Sequence, residues 1–364
     1  MSRPDRFGCV REQFPDLEVI EWRDIAVPSF MKKFWAVAKP GYLWRFKKMR
    51  LQIKELIQQK RFDIIHHLSP FAWRYASPAA GLGVPLIRGP LAGGLPTPPE
   101  LAGEVRDMFH PYNYFRKTDS IRKRFDKQLI NSYRHTDCVL VAAPYVAELL
   151  GPLPVQRCEV EIELALDEDF DNAPLCRKER GDKVELLYVG RVVRTKGVRD
   201  AIRALARMER KRDVRFTVIG DGDDLPSCKK EALHLGVADL VDFRGWCARK
   251  QVDEAFRRAD TFLFPSFREP VGSVLLEAMA SGLAVVVCNY GGPGAIVKES
   301  FGFKIPPMLP DDYAAAIAKK LDEIVVQPEL RTQMGNAAYS YAASHFRWKE
   351  KIKRLNALYT SLLS

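Results

Sequence analysis

No uninterrupted apolar run in the 364-residue sequence approaches the roughly 20 residues needed to cross a bilayer. The opening MSRPDRFGCVREQFPDLE also lacks the apolar core of a signal peptide, so the expected location is cytoplasmic. Cysteine is sparse. The seven present (Cys9, Cys138, Cys158, Cys176, Cys228, Cys247 and Cys288) are scattered, odd in number and never in a C-x-x-C pair, which argues against a disulfide framework and against a zinc site. They read as mostly buried thiols. Nowhere does the chain complete a G-x-G-x-x-G fingerprint, which disfavours a dinucleotide oxidoreductase. Acids are outnumbered by bases, 46 to 57, and the net charge of +11 calls for an anionic partner.

Much of the basic excess lies in two stretches. Met31 to Arg61 interleaves Lys and Arg with Phe34, Trp35, Tyr42, Trp44 and Phe46 and contains a single acid, Glu55; Phe115 to Lys127 is shorter. This mixture suits an anionic membrane surface, where the aromatics enter the interface and the cations gain attraction to acidic lipids. It also suits nucleic acid, or a solvated helix with a core-facing aromatic side. The membrane surface is the expected partner, at the inner face, with no nucleic acid.

Hydrophobic residues at 47% and charged residues at 28% describe a globular chain long enough for two cores. Short apolar runs alternate with helical patterns, the signature of parallel sheets covered by helices. Strands are predicted at Leu17 to Trp22, Phe62 to His66, Val84 to Arg88, Cys138 to Ala142 and Glu159 to Leu164. In the second half they are predicted at Val184 to Val189, Arg215 to Ile219, Leu240 to Phe243, Thr261 to Pro265, Leu283 to Cys288 and Gly302 to Ile305. Helices fall between, among them Trp44 to Lys60, Val198 to Met208 and Ser273 to Ala280. Periodicity is lost from Asp167 to Lys183, the best linker. The expected organisation is an incomplete acceptor-side Rossmann-like domain over residues 1–170, a donor domain over 171–345, and a terminal helix, 346–364, packing back on the first domain.

The chemistry concentrates in the second half. The strand ELLYVG ends at Gly190 and turns through RVVRTKG into a helix, placing Arg191 and Lys196 at the carboxyl edge of a sheet, where open α/β folds bind ligands. Two cations there can neutralise a diphosphate, the arginine by two-point contact and the lysine as a point charge. More specific is FPSFREPVGSVLLEAMASGLAVVV. Gly272 and Ser273 open a helix that Gly282 closes, so the first amides, around Gly272, Ser273 and Val274, form an anion site. Glu277 lies about one turn, roughly 5 Å, along that helix, within reach of a ribose. Glu269 lies on the other side, facing the group beyond the phosphates. A buried Glu277 without a partner would be unusual, whereas Glu269 can equally pair with Arg268.

Weaker signals accompany these. VDFRGW sets Arg244 and Trp246 at a strand end where a base could rest. On the acceptor side, FDIIHHLSP places His67 just past a strand, and PLIRGPLAGGLP supplies Gly93 and Gly94 to a loop able to present amides.

The ordered motifs GRVVRTKGV, VIGDGDD, VDFRGW, FPSFREPVGSVLLEAMASGLAVVV and GGPGAIV, spread over about 120 residues, resemble the retaining GT-B glycosyltransferases of family GT4. The Glu269 to Glu277 spacing matches that family's EX7E element. The resemblance implies two Rossmann-like domains facing a cleft, a nucleotide-sugar donor, no cofactor and no obligatory metal. It assigns Arg191 and Lys196 to the diphosphate, Glu277 to ribose, Glu269 to the transferred sugar and Gly272 to Val274 to amide contacts. FDIIHHLSPFAWR and IRGPLAGG are similar to a subgroup of surface-polysaccharide or lipid-linked glycan assembly, which implies a glycan or lipid-linked acceptor. The family's opening strand, glycine-rich loop and helix have no match between Met1 and Leu17, and its histidine after the next strand is replaced by Ile87 to Pro90. The expectation is therefore an N-terminally shortened glycosyltransferase, the alternative an inactive nucleotide-sugar-binding fragment or regulatory protein.

Overall fold

The computed structural model describes residues 14–20, 40–105, 118–167 and 182–364. The chain divides into two compact units, Met1–Glu55 and Leu56–Ser364. In the first, residues 14–20 hold a turn closed by Leu17 N donating to Phe14 O at 3.1 Å, and helix α1 (Pro40–Gln59) begins. The predicted strand at Leu17 to Trp22 does not form over Leu17 to Ile20. Leu17 and Ile20 are exposed, so the apolar alternation there does not mark a buried strand face. Glu21 and Trp22 lie outside the described residues, as do Met31 to Lys39, Phe115 to Lys117 and most of the predicted linker.

The second unit holds two parallel sheets. The first has the order β1 (Ile65–His67), β2 (Leu86–Leu91), β3 (Cys138–Val141), β4 (Cys158–Val160), with helices α2 (Asp119–Phe125), α3 (Lys127–Arg134) and α4 (Pro144–Leu150) in its connections. Alternation along β3 divides its two cores. Val139 and Val141 pack with Trp73, Leu129 and Tyr133 on one face. Cys138 and Leu140 pack with Leu355, Leu358 and Leu362 of the last helix on the other.

The second sheet contains β5 (Val184–Val189), β6 (Val214–Ile219), β7 (Val241–Gly245), β8 (Thr261–Phe264), β9 (Ala284–Cys288) and β10 (Gly302–Ile305), interleaved with α5 (Val198–Arg207), α6 (Leu225–His234), α7 (Arg249–Arg258), α8 (Ser273–Ala280) and α9 (Gly291–Ile296). Its order, β10-β9-β8-β5-β6-β7, reverses direction between β5 and β8. That reversal is the doubly wound arrangement, and open α/β folds of this kind bind ligands in the crevice beyond the carboxyl ends of the two central strands. The central strands read as continuous apolar runs because helices cover both faces: β8 and β9 are buried at every position. Helices α10 (Pro310–Val326), α11 (Pro328–His345) and α12 (Trp348–Leu363) complete the chain, the first two opening on proline, which needs no N–H acceptor there. The chain passes between the sheets twice at one place, where Leu166 N donates to Phe346 O at 2.7 Å and Trp348 N to Leu166 O at 3.2 Å.

Candidate functional site

The loop after β5 and the loop after β8 are fastened to each other by their backbones. Phe267 N donates to Thr195 O at 3.2 Å, and Ser266 Oγ donates to the same carbonyl at 3.2 Å. Gly197, at φ +78°, lets them close: a Cβ there would lie 2.2 Å from Pro265 O. The short 3-10 turn Arg194–Lys196 consequently points Lys196 at the second loop, and its ammonium pairs directly with Glu269 Oε2. The ammonium also lies 5.6 Å from the centre of the Phe264 ring. Glu269 is steadied in turn by its own carbonyl, which accepts Gly292 N at 3.0 Å.

Beside this pair, α8 begins at Gly272, left-handed at φ +88° and without a side-chain cap, so the first amides of Ser273 and Val274 have no intrahelical acceptor. Glu277 is a turn further on. Burial pushes its carboxyl up, and Arg249, whose Nη1 stands 2.9 Å from Glu277 Oε2, pulls it back. Arg249 opens α7 and carried no sequence signal.

The other sequence-predicted residues are more scattered. Gly190 follows β5, its N donating to Ile219 O at 3.0 Å, and Arg191 is exposed on the same loop. Arg268 donates to Thr97 Oγ1 at 3.1 Å. Arg244 turns back along β7 to Asp242 Oδ2 at 2.9 Å, lining a cavity with Glu185, Arg215 and Arg258, and so is not gathered with Lys196 and Glu269. Trp246 is 81% exposed. In the first half, His67 Nε2 lies 2.8 Å from Ser69 O, while Gly93 and Gly94 take left-handed φ of +82° and +77°.

Two residues unmarked by sequence stand past the carboxyl ends of strands of the first sheet. Tyr145, just past β3, donates to Gly93 O at 3.3 Å. Glu163, just past β4, buries Oε2, which has no hydrogen-bond partner among the described residues. Its carboxyl is pushed up by burial, opposed by Lys351 and reinforced by the negative charge of Glu269. The same Glu163 and Glu269 charges add to the burial that raises the Tyr145 hydroxyl. The loop after β2 meets the second sheet here, where Leu95 crowds Gly291 and Gly291 lies against the Glu269 carbonyl.

Residues 176–341 match the family described as Glycosyl transferases group 1. This segment is similar to the group 1 glycosyltransferases. It contains Lys196, Glu269, the α8 terminus and Glu277. Among curated proteins, the chain is 27% identical over 266 residues to the alpha-D-kanosaminyltransferase of Streptomyces kanamyceticus, covering 70% of this chain and 67% of that one. It is 26% identical over 226 residues to the lipopolysaccharide core biosynthesis glycosyltransferase LpsE of Rhizobium meliloti, covering 60% and 62%. It spans only about two fifths of the length of other relatives it matches, such as mycobacterial glycogen synthase. Among solved structures, Anabaena HepE in complex with UDP and glucose shares the fold at TM-score 0.61 and 17% identity, covering 98% of this chain and 89% of that one. The two-sheet arrangement is the GT-B fold.

Proposed function

We propose that the group 1 domain acts with the first sheet as a metal-independent, retaining glycosyltransferase that moves a sugar from a nucleotide-diphosphate donor to an acceptor hydroxyl. The observation that carries this reading is the meeting of Lys196 and Glu269 at the switch point, beside the uncapped start of α8. The site is cationic where a diphosphate would lie and carboxylate-lined where hydroxyls would lie. HepE, bound to UDP and glucose, offers the same fold for the same two kinds of group.

In this mechanism the bond between the anomeric carbon and the diphosphate breaks, and the nucleoside diphosphate leaves with the electron pair. Lys196, Arg191 and the α8 amides stabilise the charge as it builds on the departing oxygen. The acceptor hydroxyl attacks from the same face and passes its proton to the departing phosphate oxygen. Glu269 positions the sugar, and no covalent nucleophile is required. Glu277 and Arg249 receive the ribose, and Glu163 and Tyr145 offer hydrogen-bonding groups to the acceptor. Surface-polysaccharide or lipid-linked glycan synthesis is the proposed setting, supported by the likeness to LpsE. Among the described residues no helix is long and apolar enough to cross a membrane. Peripheral attachment at the inner membrane face is proposed from the basic, aromatic composition of Met31 to Arg61.

A donor-hydrolysis screen with UDP- and GDP-sugars tests the proposal. Release of UDP or GDP, with the anomeric configuration kept in any transfer product, is the expected result. Nucleotide binding without hydrolysis or transfer under any acceptor would leave a binding protein instead.

A further inference from the structure

Past Gly94 the chain leaves the edge of the first sheet and lies against the second. Leu95 Cδ2 crowds Gly291 so closely that a Cβ there would meet it at 2.5 Å. Thr97 accepts from Arg268. Leu101, at 0% exposure, belongs to the same core as Leu186, Phe216 and Val285 of the second sheet. At the end of this strap, Glu104 Oε2 receives Arg194 Nε at 2.8 Å and Nη2 at 2.6 Å. Arg203 Nη1 stands 3.4 Å from the same oxygen.

Arg194 is otherwise occupied by its own side of the molecule. Its Nη1 donates to Asp200 Oδ2 at 2.6 Å and its Nη2 to Asp200 Oδ1 at 2.9 Å, and the guanidinium lies 5.2 Å from the centre of the Phe267 ring. Arg194 is buried, and it sits in the 3-10 turn that also carries Lys196. Fastening the strap did not need such a group, because Leu101 already anchors it, and burying charges costs desolvation that a hydrophobic contact avoids. A fully bonded guanidinium does provide fixed orientation, because its planar fork is held at both edges.

We propose that Glu104 is a positioning residue for diphosphate binding: through Arg194 it fixes the turn that bears Lys196, and so ties the diphosphate end of the site to the strap continuing from Gly93 and Gly94. This rests on the donor-site reading above. Asp200 keeps Arg194 bonded within its own half when Glu104 is changed, so the loop stays folded and only its tie across the halves is lost.

The test is calorimetry on the full chain with UDP and GDP against UMP and GMP, alongside thermal melting. Glu104→Gln is expected to weaken the preferred diphosphate roughly 5- to 10-fold, a coupling of ordinary size, and to leave the monophosphate within about twofold. Glu104→Asp, which keeps the charge and shortens the reach, should fall between, and it carries the comparison if the glutamine variant does not fold. Glu231→Gln removes a 2.6 Å partner of Arg203 in the same network without touching Arg194, and should change neither affinity. Wild-type diphosphate affinity in Glu104→Gln, or equal loss of diphosphate and monophosphate, overturns the positioning role alone. A wild-type chain that binds neither UDP nor GDP overturns the donor site itself.

Discussion

Lys196 and Glu269, 73 residues apart, form an ion pair between the loops that follow the two central strands of the second sheet. Both side chains are mostly shielded, at 13% and 12% exposure. Each therefore serves as the other's counter-ion until a ligand arrives. A diphosphate would replace Glu269 at the ammonium and release the carboxylate toward the sugar.

The two substitutions should accordingly act in opposite directions. Lys196→Ala is expected to weaken UDP or GDP binding at least roughly tenfold, since a charge-assisted contact is removed. Glu269→Gln removes the competing anion and should bind the same nucleotide as tightly as wild type or a few-fold tighter, yet lose about 100-fold or more in sugar transfer. Calorimetry and a transfer assay read the two effects separately. Parallel losses of nucleotide affinity in both variants would contradict the exchange.

Gly197 and Gly93 share a left-handed backbone but not their surroundings. A Cβ on Gly197 would strike Pro265 O at 2.2 Å, whereas one on Gly93 would meet nothing within 4 Å among the described residues. Gly93→Ala therefore adds only backbone strain, about 1 kcal/mol, while Gly197→Ala also forces the two central loops apart and should cost about 3 kcal/mol or more. Urea melts of the two variants provide the comparison, and equal losses would mean that the loops are not packed as described.

His67 is held at a pKa of about 4, first by burial and then by the charge of Arg88, against an ordinary value of 6.5. His66 is shifted the same way by burial. A histidine whose folded pKa is depressed binds its proton more readily when unfolded, so stability rises with pH between about 4 and 6.5 and is lost as pH falls through that window. His67→Gln should flatten the profile, removing about 2 kcal/mol of the difference between pH 7.5 and pH 4.5 once partial exposure is allowed for. Chemical denaturation at the two pH values measures it, and an unchanged slope would place the dependence elsewhere.

Some of this was legible residue by residue. A central strand covered on both faces must be apolar at nearly every position, so Val184 to Val189 and Leu283 to Cys288 announce themselves. Gly272 and Gly282 bracket α8 because a left-handed backbone is open to glycine and closed to most side chains, and the helix runs from Ser273 to Ala280 between them. Edge strands are less legible: where Glu159 to Leu164 is predicted, the strand runs over Cys158–Val160, since a strand with one neighbour lacks the burial that marks a central one. Arg244 has the composition of a ligand contact, but Asp242, two residues away, takes its guanidinium.

Composition and local spacing, by themselves, determined the fold class, the two candidate loops and the charges they carry, because periodicity, capping and turn chemistry act over a few residues. Only the tertiary structure decided which charges meet. The strand order β10-β9-β8-β5-β6-β7 set Lys196 against Glu269, and the strap from the first sheet brought Glu104 to Arg194 across 90 residues. Ion pairs of this kind depend on distance in space, and no local pattern in the chain encodes which distant carboxylate will arrive.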